Sequence, residues 1–98
     1  INKLDIEKIT KVALPILKRN GVLKAGIFGS YARKEARKKS DIDFLIKIPM
    51  GKSLLDMSRL RNQLMDNLKV DIDLVEYRSV KQRIKKQVLK EEVKILSS

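Results

Sequence analysis

Residues 26–48, GIFGSYARKEARKKSDIDFLIKI, decide how the rest of the chain is read. The stretch opens as the end of an apolar strand and passes through a Gly29-Ser30 turn into a basic segment. That segment is expected to be a short helix reaching about Lys38, after which a second strand begins with Asp41 and Asp43. Side chains alternate faces along a strand, so the two carboxylates point the same way. At ~3.3 Å of rise per residue they stand roughly 6–7 Å apart. Ile42, Phe44, Ile46 and Ile48 take the opposite, apolar face. Neighbouring acids repel and bury poorly, so a fold that keeps them together calls for a cation. Hard oxygen ligands suit Mg²⁺, which takes one or two carboxylates together with substrate phosphates.

The turn ahead of the acids points to the same chemistry. Gly29 allows a positive φ or a close backbone approach. Ser30 stands where a helix would begin, and unbonded N–H groups with the helix dipole attract anions there. The plainer alternative makes Ser30 a simple N-cap and pairs Arg33 with a local carboxylate. Asp41 and Asp43 following at short range favour a phosphate. Arg33, Lys34, Arg37, Lys38 and Lys39 make the segment strongly basic, and its lysines read as solvated surface.

Composition narrows the chemistry further. The 98 residues are expected to form one domain, 1–98, with a core of Ile, Leu and Val because aromatics are only 4%. There is no Cys and no His. Disulfides, Cys/His zinc sites, thiol nucleophiles and an imidazole base are therefore excluded. Catalysis would rest on carboxylates, Lys, Arg, Tyr, hydroxyls and a metal. The formal charge of +11 fits either a solvated surface or attraction to a polyanion such as nucleotide, RNA or an acidic protein. No signal-peptide pattern or apolar run of spanning length is present, so no membrane role and a cytoplasmic location are expected.

Outward from the central stretch, residues 4–20 carry Ile6, Ile9, Val12, Ala13, Ile16 and Leu17 at helical spacing. Asp5 is the candidate N-cap, Gly21 the stop, and Pro15 is expected to kink or end the helix. Residues 22–28 read as a strand. Beyond the second strand, Pro49, Met50 and Gly51 break the chain, and Ser53 with Asp56 forms a capping-box variant. The helix that follows should bury Met57, Leu60, Leu64 and Leu68, with Leu55 alongside, while Asp56, Arg59 and Arg61 face water. Residues 69–76, KVDIDLVE, are the third strand, with Asp71 and Asp73 on one face. Either could join Asp41 and Asp43, or both could be edge acids in salt bridges. Ser79 with Gln82 suggests another capping box, opening a helix to about Glu92 that buries Val80, Ile84, Val88 and Leu89. Residues 93–96 read as an edge strand or a packed tail.

Gly29-Ser30-Tyr31-Ala32-Arg33 followed by Ser40-Asp41-Ile42-Asp43 resembles the G-S-x-A-R…S-D-I-D signature of the minimal nucleotidyltransferases, within the DNA polymerase β-like superfamily. Lys34 stands where that family commonly has glycine. The resemblance implies an α/β (α+β) fold, a polymerase β-like core with a small mixed sheet and helices packed on it, in the order α-β-α-β-α-β-α. It also implies an enzyme, a nucleotidyltransferase using two Mg²⁺ ions and ATP. Asp41 and Asp43 would hold metal and Asp73 would complete the site, with Asp71 the fallback. Gly29 and Ser30 would bind the β- and γ-phosphates, and Arg33 the nucleotide. The implied partner is a HEPN-domain toxin whose tyrosine hydroxyl receives AMP, making this chain its antitoxin. Two alternatives remain: a small-molecule acceptor, disfavoured without a second substrate domain, and a non-catalytic module that binds a partner or RNA.

Overall fold

The computed structural model of the protein describes residues 5–37 and 40–97. Helix α1 (Ile6–Arg19) starts at Asp5, whose carboxylate accepts the Lys8 N–H at 2.9 Å. This satisfies one of the orphan donors of the first turn. Ile9, Ala13, Ile16 and Leu17 form its buried stripe. Pro15 lies inside the helix, which is continuous through it. The ring and the carbonyl it leaves unbonded face solvent, where water can take the missing donor's place. Asn20 closes the helix by donating both its backbone N–H and its side-chain amide to the Ile16 carbonyl.

Strands β1 (Lys24–Phe28), β2 (Ile42–Lys47), β3 (Ile72–Glu76) and β4 (Val93–Leu96) form a mixed sheet in the order β3-β2-β1-β4. β1 is antiparallel to both β2 and β4. β2 and β3 are parallel, and parallel neighbours need a crossover, here helix α2 (Leu54–Leu68). The registers put Ala25, Ile27, Ile42, Phe44, Ile46 and Ile72 on one face of the sheet. With α1 and with Leu60, Leu64 and Leu68 of α2 they make the core. Phe44 is fully buried there, which stabilises the fold by about 1.5–3 kcal/mol.

Helix α2 opens on the expected capping box, the Ser53 hydroxyl and Asp56 carboxylate each accepting the other's backbone N–H. It ends at Lys69 in the left-handed region (φ 60°), so β3 starts at Ile72 rather than at Lys69. Leu55 is exposed, not buried alongside the stripe. Arg61 does not simply face water. Its Nε donates to the Ile72 carbonyl at 2.8 Å and ties α2 to β3.

Two expected helices differ. The segment after Ser30 makes a single turn, so among the described residues no helix links β1 to β2; Lys38 and Lys39 lie outside them. Arg33 and Arg37 would be like charges four apart on one helix face, which destabilises a longer helix. The last helix, α3 (Gln82–Glu91), starts later than expected. Residues Tyr77–Ser79 form a 3-10 turn, Lys81 is the N-cap, and no Ser79–Gln82 box forms. None of its residues is buried, and Ile84 and Leu89 are exposed. Of the expected buried face, Val80 and Val88 are half-buried, while Ile84 and Leu89 stay exposed among the described residues. Residues Val93–Leu96 take the edge-strand alternative against β1. Among the described residues, no helix is long and apolar enough to cross a membrane.

Candidate active site

The parallel register of β2 and β3 sets Asp43 directly beside Asp73. Paired residues share a face, with strands roughly 4.8 Å apart. Asp41 stands two residues before Asp43, just outside β2. Asp71 lies just before β3, and its carbonyl accepts the Ile42 N–H at 3.0 Å. Of the two acids the sequence left open, Asp73 is therefore the one in line with Asp43. Asp41 and Asp73 are exposed, whereas Asp43 is partly buried. Burial, then the charges of Asp73 and Asp41, push the Asp43 carboxyl up to about 6, against a smaller opposing pull from Arg33.

Among the described residues no three acids form a ready-made cation cage. The donor set nevertheless fits a hard divalent ion. Three carboxylates are gathered on one side of β2 and β3, and their mutual repulsion on Asp43 is what a dication relieves.

Gly29 brings the turn against these acids. Its φ is +73°, and a Cβ there would run into the Asp43 carboxylate, lying 3.2 Å from Cγ. Either fact alone favours glycine; a side chain here would both strain the backbone and displace the Asp43 carboxylate. The turn then closes on itself. Arg33 N–H donates to the Gly29 carbonyl at 3.1 Å, Lys34 N–H to Tyr31 at 3.2 Å and Glu35 N–H to Ser30 at 2.8 Å. The last two bonds, with Lys34 at φ 60°, make a Schellman ending. Lys34 thus occupies the left-handed position at which the resembled family has glycine. The N–H groups of Ser30, Tyr31 and Ala32 have no hydrogen-bond partner among the described residues. Tyr31 is only 8% exposed and belongs to the core, so it fixes the turn in place.

Arg33 is held by acids, and the loop's end by a serine. The Arg33 guanidinium pairs with Glu35 at 2.9 Å and with Glu91, at the end of α3, at 3.6 Å. Ser40 completes a turn, its hydroxyl accepting the Arg37 N–H at 2.8 Å before the chain enters β2. The Gly29 turn thus meets the acids of β2 and β3 at Asp43, while Arg33 is held in a salt bridge.

Sequence reasoning missed a second, half-buried cluster on this sheet face. The Tyr77 hydroxyl donates to Glu92, whose carboxylate lies over Gly26 where a Cβ would collide with it. Burial and this bond raise the Tyr77 phenol above its ordinary range. The other Glu92 oxygen is buried without a partner. A glycine in the middle of β1 was the available signal, since strand glycines mark close approaches.

Residues 7–98 match the polymerase beta nucleotidyltransferase family. A Methanocaldococcus jannaschii protein named as a candidate protein adenylyltransferase is 42% identical over 93 residues, 95% of this chain and 100% of that one. A solved structure described as a candidate minimal nucleotidyltransferase superposes with a TM-score of 0.81 at 35% identity, covering 95% of this chain and 98% of that one. At 21% identity the fold alone is shared with a chain of the tri-AMPylated Shewanella oneidensis HEPN toxin in complex with MNT antitoxin. That match has a TM-score of 0.72 and covers 94% of this chain and 72% of that one.

Proposed function

This chain belongs to the polymerase β nucleotidyltransferase family, and from that premise we propose that it transfers AMP from ATP to a tyrosine hydroxyl of a HEPN-domain toxin, silencing it as an antitoxin. The observation that carries the proposal is the pairing of Asp43 with Asp73 across from the Gly29 turn. It supports a site that holds metal on one side and phosphate on the other.

Asp41, Asp43 and Asp73 would hold Mg²⁺, which neutralises triphosphate charge and stabilises the departing pyrophosphate. The N–H groups of Ser30, Tyr31 and Ala32, with the Ser30 hydroxyl, bind the β- and γ-phosphate oxygens beside Gly29. Arg33 exchanges Glu35 and Glu91 for a phosphate, to which its planar fork is matched. The acceptor oxygen bonds to the α-phosphorus, the bond to the β-phosphate bridging oxygen breaks, and Asp73 receives the acceptor's proton. Positioning and charge stabilisation carry the rate, so the lack of His and Cys is no obstacle. The acceptor assignment takes its support from the AMPylated toxin bound by a protein of this fold.

Incubation with α-labelled ATP, Mg²⁺ and a HEPN-domain protein encoded beside this chain tests the proposal. Label is expected on the toxin, absent with EDTA and absent with Asp43→Asn. No label with either Mg²⁺ or Mn²⁺ would overturn it.

A further inference from the structure

At the far end of β2 from the acids lies a groove of about 570 Å³ between the sheet and α3. Lys47 on its border stands four positions beyond Asp43, roughly 13 Å along the strand. The groove is thus distinct from the transfer site. Its apolar lining comes from Ile48, Met50 and Leu89. Met50 is 99% exposed, and Leu89 of α3 is exposed as well. Four cations, Lys24, Lys47, Arg78 and Lys85, stand around it. The single acid among its lining residues, Glu76, is already paired with Arg78 at 3.1 Å.

We propose that this groove docks an acidic amphipathic helix of a protein partner, its apolar side chains entering between Met50 and Leu89 and its carboxylates meeting Lys24, Lys47 and Lys85. Charge selects the occupant. A second copy of a chain carrying +11 would bring a like-charged rim against this one. A small molecule would need fixed polar groups converging inside the cavity, and the polar groups here are flexible cations around its edge. RNA would need an open aromatic face for base stacking. The Tyr77 ring is instead covered by the Lys24 ammonium, 4.6 Å from its centre, and its hydroxyl is held by Glu92. An acidic helix satisfies both the apolar lining and the basic rim, in the groove-bound mode in which anchors recur at i, i+3, i+4 and i+7. This accounts for the apolar residues of α3 that stay exposed, Leu89 among them. The proposal goes beyond the transfer chemistry and stands without it.

The test uses the full chain, isotope-labelled for NMR, with no nucleotide present. The probe is a helical peptide carrying leucines at i, i+3, i+4 and i+7 and glutamates elsewhere. Saturable shifts are expected at Ile48, Met50, Lys85 and Leu89. Lys47→Glu with Lys85→Glu should weaken binding at least about tenfold, with the salt dependence reduced, since rim charges act through steering and complementarity. Met50→Ser should also weaken it without altering the spectrum elsewhere. The proposal is overturned by shifts that do not saturate or lie away from the groove, by equal binding of the peptide with serines replacing its leucines, or by tighter binding of oligouridylate at the same residues. A dimer in sedimentation that Leu89→Ser dissociates would instead make the occupant a second copy. Failure of AMP transfer leaves this result untouched, so the two claims fail separately.

Discussion

The two faces of the sheet are built to opposite rules. On one, Ala25, Ile27, Phe44 and Ile46 are sealed beneath α1 and α2 with no exposure at all. On the other, a single register position away, Leu45 is covered beside Gly26 and Glu92, but Asp43 and Asp73 stand side by side at the edge of that cover, next to a helix none of whose own residues is buried. Because side chains alternate, residues 43 and 44 are neighbours in sequence yet serve different ends. The sealed face supplies stability. The open face gives up stability to hold charge where a phosphate and a cation would meet.

That contrast can be broken most sharply at adjacent residues. Asp43→Asn should lower AMP transfer by about a thousandfold or more, given the several kcal/mol that metal-held charge stabilisation contributes. Denaturation at pH 7 should show the variant as stable as the parent or more so. Phe44→Ala, one residue on, should lose about 3–5 kcal/mol in urea unfolding, from lost transfer energy and the cavity left behind. If Asp43→Asn unfolds the chain while Phe44→Ala leaves it intact, the division of labour is wrong.

The open face also predicts a pH dependence. Asp43 titrates at about 6 in the folded chain against an ordinary 3.8. Between those values the folded state binds a proton that the unfolded state has released. The resulting stability is full below about pH 4 and is lost as pH rises through about 6. Urea unfolding in EDTA should show that decline in the parent and a flatter profile in Asp43→Asn. The smallest effect lies at the turn's end. Lys34→Gly should stabilise the chain by up to about 1 kcal/mol, because a left-handed non-glycine residue costs roughly 1–2 kcal/mol and glycine returns part of that as entropy. Unchanged thermal unfolding would mean that Lys34 does not hold φ 60° in solution.

The sealed face and the acids were legible because both rest on local periodicity. Alternation in IDFLIK assigned the faces of β2, and the Ser53-Asp56 pair announced α2. What escaped depended on non-local facts. Asp71 and Asp73 share a face, and only the β2–β3 register puts Asp73 beside Asp43. Gly26 reads as a weak strand residue until Glu92, sixty-six positions later, is seen lying over it. The stripe on α3 announced a face needing a partner, but periodicity cannot say whether that partner is in the same chain. The helix expected after Ser30 failed because Lys34 adopts a conformation that sequence patterns assign to glycine.

The central claim is that cation and triphosphate meet where Gly29, Asp43 and Asp73 converge. Paramagnetic broadening of backbone amide signals by Mn²⁺ in the presence of a nonhydrolysable ATP analogue measures this directly. The account predicts loss of signal centred on residues 29–33, 41–43 and 73, and its disappearance in Asp43→Asn. Broadening centred on α3 or on the Lys47 end of β2, with residues 29–43 unaffected, would contradict it.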